Sequence, residues 1–159
     1  KNDPAGILGE KNALNVLRKI VKKKYYFVSR GDDSGTHKKE LSLWENVKIK
    51  TERIWYKEVG QGMGRVLQIA NELGAYTLTD RGTWLTMFSK LSLKILSEGD
   101  PKLNNPYSII AINPSLYPKV NYLGAFSLIE WITSVEGKKL IEKYKINGET
   151  LFIPTKIEN

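Results

Sequence analysis

Apolar and polar positions alternate along the chain in blocks that change period. From Asn12 to about Lys22 the apolar residues Leu14, Leu17, Ile20 and Val21 fall on one helical face. Tyr25-Tyr26-Phe27-Val28 is a short apolar run of strand type, and helical spacing returns from about Thr36 to Val47 through Leu41 and Trp44. Ile54 to Val59 reads as a strand. The glycine cluster Gly60-Gln61-Gly62-Met63-Gly64 then opens a helix with Met63, Val66, Leu67 and Ala70 on one face. Ala75 to Leu78 is a third strand, and Thr79-Asp80-Arg81-Gly82 opens a helix through Trp84, Leu85 and Phe88. Beyond it, Lys94 to Leu96 reads as a short strand and Glu98 to Asn105 as a loop. Tyr107 to Ile112 is a strongly β-forming run closed by Asn113-Pro114. Helices follow over Tyr122–Thr133 and Glu136–Tyr144, and Leu151 to Pro154 is extended.

Strands alternating with helices predict an α/β fold with a largely parallel sheet. Ligands of such sheets bind where strands end and helices begin. The segment Ser29-Arg30-Gly31-Asp32-Asp33-Ser34-Gly35-Thr36 lies at such a place. A helix start offers unpaired N–H groups and partial positive charge. Arg30 adds a guanidinium, Ser34 and Thr36 add hydroxyls, and Gly31 and Gly35 let backbone approach a ligand. Asp33, Ser34 or Thr36 acting only as a helix cap is the plain alternative. Arg30-Gly31-Asp32 also spells an adhesion tripeptide, a three-residue coincidence without further support. The glycine cluster at 60–64 lacks the complete dinucleotide fingerprint and the Gly-Lys-Ser/Thr of a P-loop, so it reads as a tight turn.

The 159 residues bound the chain to one domain or two small lobes. The absence of cysteine excludes disulfides, thiolate metal sites and cysteine catalysis. His37 is the only histidine, too few for a His-rich metal site, and its place on a polar helix start predicts a solvated side chain. No Gly-x-Ser-x-Gly elbow is present, and no catalytic constellation stands out. The formal net charge of +8 comes mostly from dispersed lysines, which read as a solvated Lys-rich surface and not a nucleic-acid face, and whose positive field would still raise the capture rate for a small anion.

Phe27-Val28-Ser29-Arg30-Gly31-Asp32-Asp33-Ser34-Gly35-Thr36, with Glu40 and Trp44, resembles the signature of tungstate-binding proteins, the extracytoplasmic solute-binding subunits of tungstate ABC importers. Further segments agree in order: Asn2-Asp3-Pro4-Ala5-Gly6, Gly62-Met63-Gly64, Ala75 to Trp84, Asn105-Pro106-Tyr107, Ile110 to Pro114, and Ser134-Val135-Glu136-Gly137. The resemblance spans essentially the whole chain. It implies the type II periplasmic-binding-protein fold, with two α/β lobes closing on a ligand. Members of the family carry an additional N-terminal part with a Thr/Ser-rich turn. The expected content here is therefore the second lobe plus C-terminal elements returning to the first. Residues 1–105 would form the second α/β lobe with the anion loop. Residues 106–159 would supply the return strand and C-terminal helices of the first lobe.

The resemblance implies that Arg30 and Thr36 contact the oxyanion, helped by Ser34, Gly35 and Ser29, with Thr77 and Thr79 as donors from a second loop. Asp32 or Asp33 would brace the loop, since an unpaired carboxylate repels a dianion. Asp80 and Arg81 would be a structural pair or cap. The implied function is non-enzymatic binding of tungstate or molybdate, without a cofactor or metal ion beyond the tungsten of the oxyanion, and delivery to a membrane permease. The protein would be periplasmic or extracellular, with anchoring through an N-terminal segment as one arrangement, and the missing N-terminal part or another copy would complete the clamp. A sulfate- or phosphate-binding protein and the ligand-sensing domain of a transcription regulator are the rival expectations.

Overall fold

The computed structural model describes residues 3–154, so Asn2 of the N-terminal resemblance lies outside the described residues. The chain divides into two compact units between Asn104 and Asn105.

In the first unit α1 (Ala13–Lys22) is followed by β1 (Phe27–Ser29), α2 (Gly35–Val47), β2 (Tyr56–Glu58), α3 (Met63–Leu73), β3 (Tyr76–Thr77) and α4 (Arg81–Met87). The three strands form one parallel sheet in the order β2-β1-β3, with Phe27 opposite Tyr56 and Tyr76. β1 is central, and all three of its residues are buried. Its alternation divides the core. Phe27 belongs to a cluster with Leu17 and Ile20 of α1 and Leu43 and Trp44 of α2, whereas Val28 joins Met63, Val66, Leu67 and Ala70 of α3. Successive strand residues point to opposite faces, so each face takes its own helix layer.

The first face is built from aromatic rings. Phe27 meets Trp44 edge-on at 5.2 Å between centroids and stacks on Tyr56 at 5.9 Å, while Trp55 packs against both Trp44 and Tyr56. Such pairs add specificity of orientation to the area they bury. The N-terminal segment is fastened to this unit by Asp3, whose carboxylate accepts from the Ile7 and Leu8 amides and from the Tyr76 hydroxyl at 2.8 Å.

The second unit contains α5 (Tyr122–Thr133), α6 (Val135–Lys143) and a hairpin of β4 (Lys145–Ile146) and β5 (Glu149–Thr150). Ser134 ends α5 and caps α6, its hydroxyl accepting from the Gly137 amide at 3.2 Å. The hairpin turn has Asn147 and Gly148 at φ +52° and +82°, the left-handed pair that a two-residue hairpin loop demands.

Two expected strands are absent. Lys94 to Leu96 and Tyr107 to Ile112 carry no ladder pairing among the described residues. The return strand assigned to the second region is thus irregular backbone. β-forming composition supplies side chains suited to a sheet but no neighbouring strand for the backbone N–H and C=O groups. Among the described residues, no helix is long and apolar enough to cross a membrane.

Candidate functional site

Parallel pairing brings Ser29, Glu58 and Thr77 to the C-terminal end of the sheet, and the starts of α2, α3 and α4 follow from that same end. The loop between β1 and α2 is held there from two sides. Gly31 sits at φ +61°, and a Cβ built on it would lie 2.9 Å from Glu58 Cβ, so only glycine fits against the neighbouring strand end. The Gln61 amide donates to the Arg30 carbonyl at 3.2 Å, which joins this loop to the glycine-rich turn before α3.

Arg30 does not stand alone. Its Nε and Nη2 both donate to Asp32 Oδ2, at 3.0 and 2.5 Å. Asp32 Oδ1 also accepts from the Ser34 amide at 3.2 Å. The Ser34 hydroxyl, the Arg30 guanidinium and the Ser34 amide hold the Asp32 carboxyl down at about 2. Asp32 therefore braces the loop and orients the guanidinium. Asp33 adopts φ +59°, and its exposed carboxylate pairs with Lys38 at 3.4 Å.

Ser34 is the N-cap of α2: its hydroxyl accepts from the His37 amide at 3.3 Å, and its carbonyl accepts from the Lys38 amide. Capping is therefore the work of Ser34 and not of Thr36. Thr36 lies in the first turn, half-buried. Among the described residues, the Gly35 and Thr36 amides and the Thr36 hydroxyl meet no hydrogen-bond partner. Three donors at the positive end of a helix, beside an oriented guanidinium, form a surface suited to an oxyanion.

The other residues singled out in the sequence sit differently. The Ser29 hydroxyl is wholly buried, on the α2 face of β1 and not at the open rim of the loop. The Thr77 hydroxyl donates to the Val28 carbonyl at 2.7 Å, so its proton is held within the sheet. The Thr79 hydroxyl donates to the Asp80 carbonyl at 3.2 Å. Asp80 caps α4 through the Thr83 amide at 2.7 Å, and Arg81 pairs with Glu98 at 3.0 Å.

Behind the loop lies a polar group that the sequence reading did not assign. Glu40 is buried, and its Oε1 accepts from the Tyr56 hydroxyl at 2.6 Å and from Trp44 Nε1 at 3.0 Å. Burial raises the Glu40 carboxyl above its ordinary range, against the pull of the Tyr56, Ser29 and Trp44 contacts. The Ser29 hydroxyl lies beside this group yet, among the described residues, meets no partner in hydrogen-bonding geometry. Burial, then the Glu40 contact, pushes the Tyr56 hydroxyl up as well. His37 is also buried, against the expectation of a solvated ring: α2 turns it inward, where Nδ1 accepts from the Asp33 amide at 3.0 Å. The spacing of His37, Glu40 and Trp44 on one helical face was the available signal; polar residue types concealed that this face is the buried one.

The second unit offers concavities of a different character. One of about 290 Å³ is lined by Trp131, Leu140, Tyr144 and Phe152, and another of about 280 Å³ by Ile110, Ile112 and Val120. Both are lined mainly by apolar side chains and contain no cationic residue, although Asn121 and Tyr122 reach the second.

Comparison with known proteins places this architecture. Residues 1–136 match the PBP superfamily domain. The chain is 45% identical over 157 residues to the tungstate-binding protein TupA of Peptoclostridium acidaminophilum, covering 96% of this chain and 55% of that protein. The fold matches the tungstate-binding protein TupA from Desulfovibrio alaskensis G20 with a TM-score of 0.88 at 42% identity, over 96% of this chain and 63% of that one. It matches the tungstate ABC transporter structure from Geobacter sulfurreducens with a TM-score of 0.78 at 48% identity, over 91% of this chain and 61% of that one. The chain spans about half the length of the curated relatives it matches. With its three-stranded parallel sheet, helices on both faces and these matches, the chain belongs to the PBP superfamily.

Proposed function

We propose that residues 30–36 bind a tetrahedral oxyanion, tungstate foremost, as part of a solute-binding protein that delivers it to the permease of an ABC importer. The observation that carries this reading is the set of open donors: the Gly35 and Thr36 amides, the Thr36 hydroxyl, and Arg30 aimed by Asp32. A fully ionised anion needs donors only, whereas a protonated phosphate also needs an acceptor. Of the loop's carboxylates, Asp32 is already committed to Arg30 and the Ser34 amide, and Asp33 to Lys38. The names of the relatives support tungstate, and molybdate fits the same donors because its charge and shape are nearly the same. Capture and release require no bond making, so the protein acts without catalysis. Import of this kind is consistent with a periplasmic or extracellular location. The donors form one wall, and the rest of the clamp would come from an N-terminal part or from another copy.

Calorimetric titration of the full-length protein with tungstate, molybdate, sulfate and phosphate tests the reading. Tungstate and molybdate are expected to bind more tightly than sulfate and phosphate by about tenfold or more, or ~1.4 kcal/mol. Tighter binding of sulfate, or of phosphate with affinity rising as it protonates, would replace tungstate with that anion.

A further inference from the structure

We propose that His37 is a positioning residue of the anion loop: its buried ring, through Nδ1 on the Asp33 amide, holds the loop in the shape that leaves the Gly35 and Thr36 amides open. The inference rests on the oxyanion reading above and names a residue that acts without touching the ligand.

The loop's amides divide cleanly. Asp33 N–H is taken by His37 Nδ1, Ser34 N–H by Asp32, His37 N–H by the Ser34 hydroxyl, and Lys38 N–H by the Ser34 carbonyl. Between these fastened positions lie Gly35 and Thr36, whose amides are unpartnered among the described residues. Removing the His37 contact would free Asp33, a non-glycine residue at φ +59°, from the bond that helps keep it in the left-handed region. Asp33 immediately precedes the cap, so its relaxation would reorient Ser34 and the two open amides together.

The chemistry of the ring supports this assignment over a purely structural one. An Nδ1 that accepts leaves the proton of the neutral ring on Nε2. Nε2 is buried and meets no hydrogen-bond partner among the described residues. A buried donor without a partner is a cost, and an apolar side chain of similar size would avoid it. The burial of His37 carries that cost, and its contact with Asp33 accounts for an acceptor at that place. Glu40, three residues on, directs its Oε1 to Tyr56 and Trp44, while the Asp33 amide donates to His37.

Substitution separates the two ring nitrogens. The Asn side-chain oxygen can stand where Nδ1 stands, whereas the longer Gln amide reaches toward the place of Nε2. In the full-length protein, His37→Asn is expected to bind tungstate within about threefold of wild type, and His37→Gln and His37→Leu to bind about tenfold or more weakly. Hydrogen exchange at the Asp33 amide is expected to stay slow in His37→Asn and to accelerate in the other two. If His37→Leu does not fold, the Asn and Gln variants decide alone. Equal affinities in Asn and Gln, or unchanged Asp33 exchange in Gln, would overturn the positioning role. A wild-type protein that binds no oxyanion would overturn the site reading instead, while Asp33 exchange would still report whether His37 fastens the loop.

Discussion

Arg30 and Thr36 do different work in the loop, and their variants should separate. Arg30 is held by Asp32 through two of its nitrogens, which fixes where the remaining N–H groups point. An anion enclosed by the clamp would bury its contact with Arg30, and truncating one partner of such a buried charge pair costs ~2–5 kcal/mol of binding, so Arg30→Ala should weaken tungstate binding by tens- to thousands-fold in calorimetry, with the chain still folded. Thr36 is not the cap, so Thr36→Ala should lower affinity and leave the melting temperature nearly unchanged. The stability loss belongs to Ser34→Ala, about 0.5–2 kcal/mol by chemical denaturation. Asp32, depressed to about 2, supplies its bracing above the unfolded carboxylate range and loses it as pH falls from about 4 toward 2. A carboxyl titration of Asp32 by NMR should show this midpoint, and Ser34→Ala or Arg30→Ala should each move it upward. At this scale the residue types in the loop were legible because strand, glycine-bearing turn and helix start follow one another in sequence. What was not legible was the allocation of partners. Four oxygen-bearing side chains, at 32, 33, 34 and 36, can each cap a helix, and only the backbone turn at Asp33 decides that Ser34 does so.

Among the elements, α2 is tied to the sheet by the Glu40 carboxyl as well as by apolar packing. Glu40→Leu would leave the Tyr56 hydroxyl and Trp44 Nε1 buried without an acceptor, each costing about 1–3 kcal/mol, and should sharply lower the denaturation midpoint. Glu40→Gln keeps one acceptor oxygen and should retain the fold. Because the folded carboxyl is raised, the contribution of Glu40 is fully present below the unfolded carboxylate range and is lost as pH rises through the raised value. Glu40→Gln should therefore flatten that part of the stability profile, as equilibrium unfolding over mildly acidic to neutral pH would show. The helices and the three parallel strands were legible from period alone, to within a few residues. The hairpin at Lys145 to Thr150 was missed although Asn147-Gly148 is the strongest short hairpin signal, because strands of two residues give no measurable alternation. Tyr107 to Ile112 failed in the opposite sense: its residue types are strongly β-forming, and the pairing that would make it a strand depends on a neighbour that local sequence cannot reveal.

Over the whole chain, the two units differ in how they use apolar residues. Every buried hydrophobic residue among those described belongs to the first unit. In the second, Ile110, Leu123 and Ile153 are 83%, 79% and 87% exposed, and α5 is apolar around most of its circumference. A helix apolar on all sides is ordinarily a buried one, and large exposed apolar surfaces recruit a cover. The isolated 159 residues should therefore sediment as an associated species and bind the anion weakly; a monomer with tight tungstate binding would contradict this. The class of fold was legible at this scale from alternating elements and from the loop signature. What covers the second unit was not, since composition records that a surface is apolar and not what lies against it.

The central claim is that the Gly35 and Thr36 amides, beside Arg30, receive the oxyanion. Backbone amide NMR of the full-length protein during tungstate addition tests it most directly. The Gly35 and Thr36 amide protons should shift downfield and become protected from exchange, while the fastened Asp33 and Ser34 amides change little. Saturable tungstate binding that leaves the Gly35 and Thr36 signals unmoved would contradict the account.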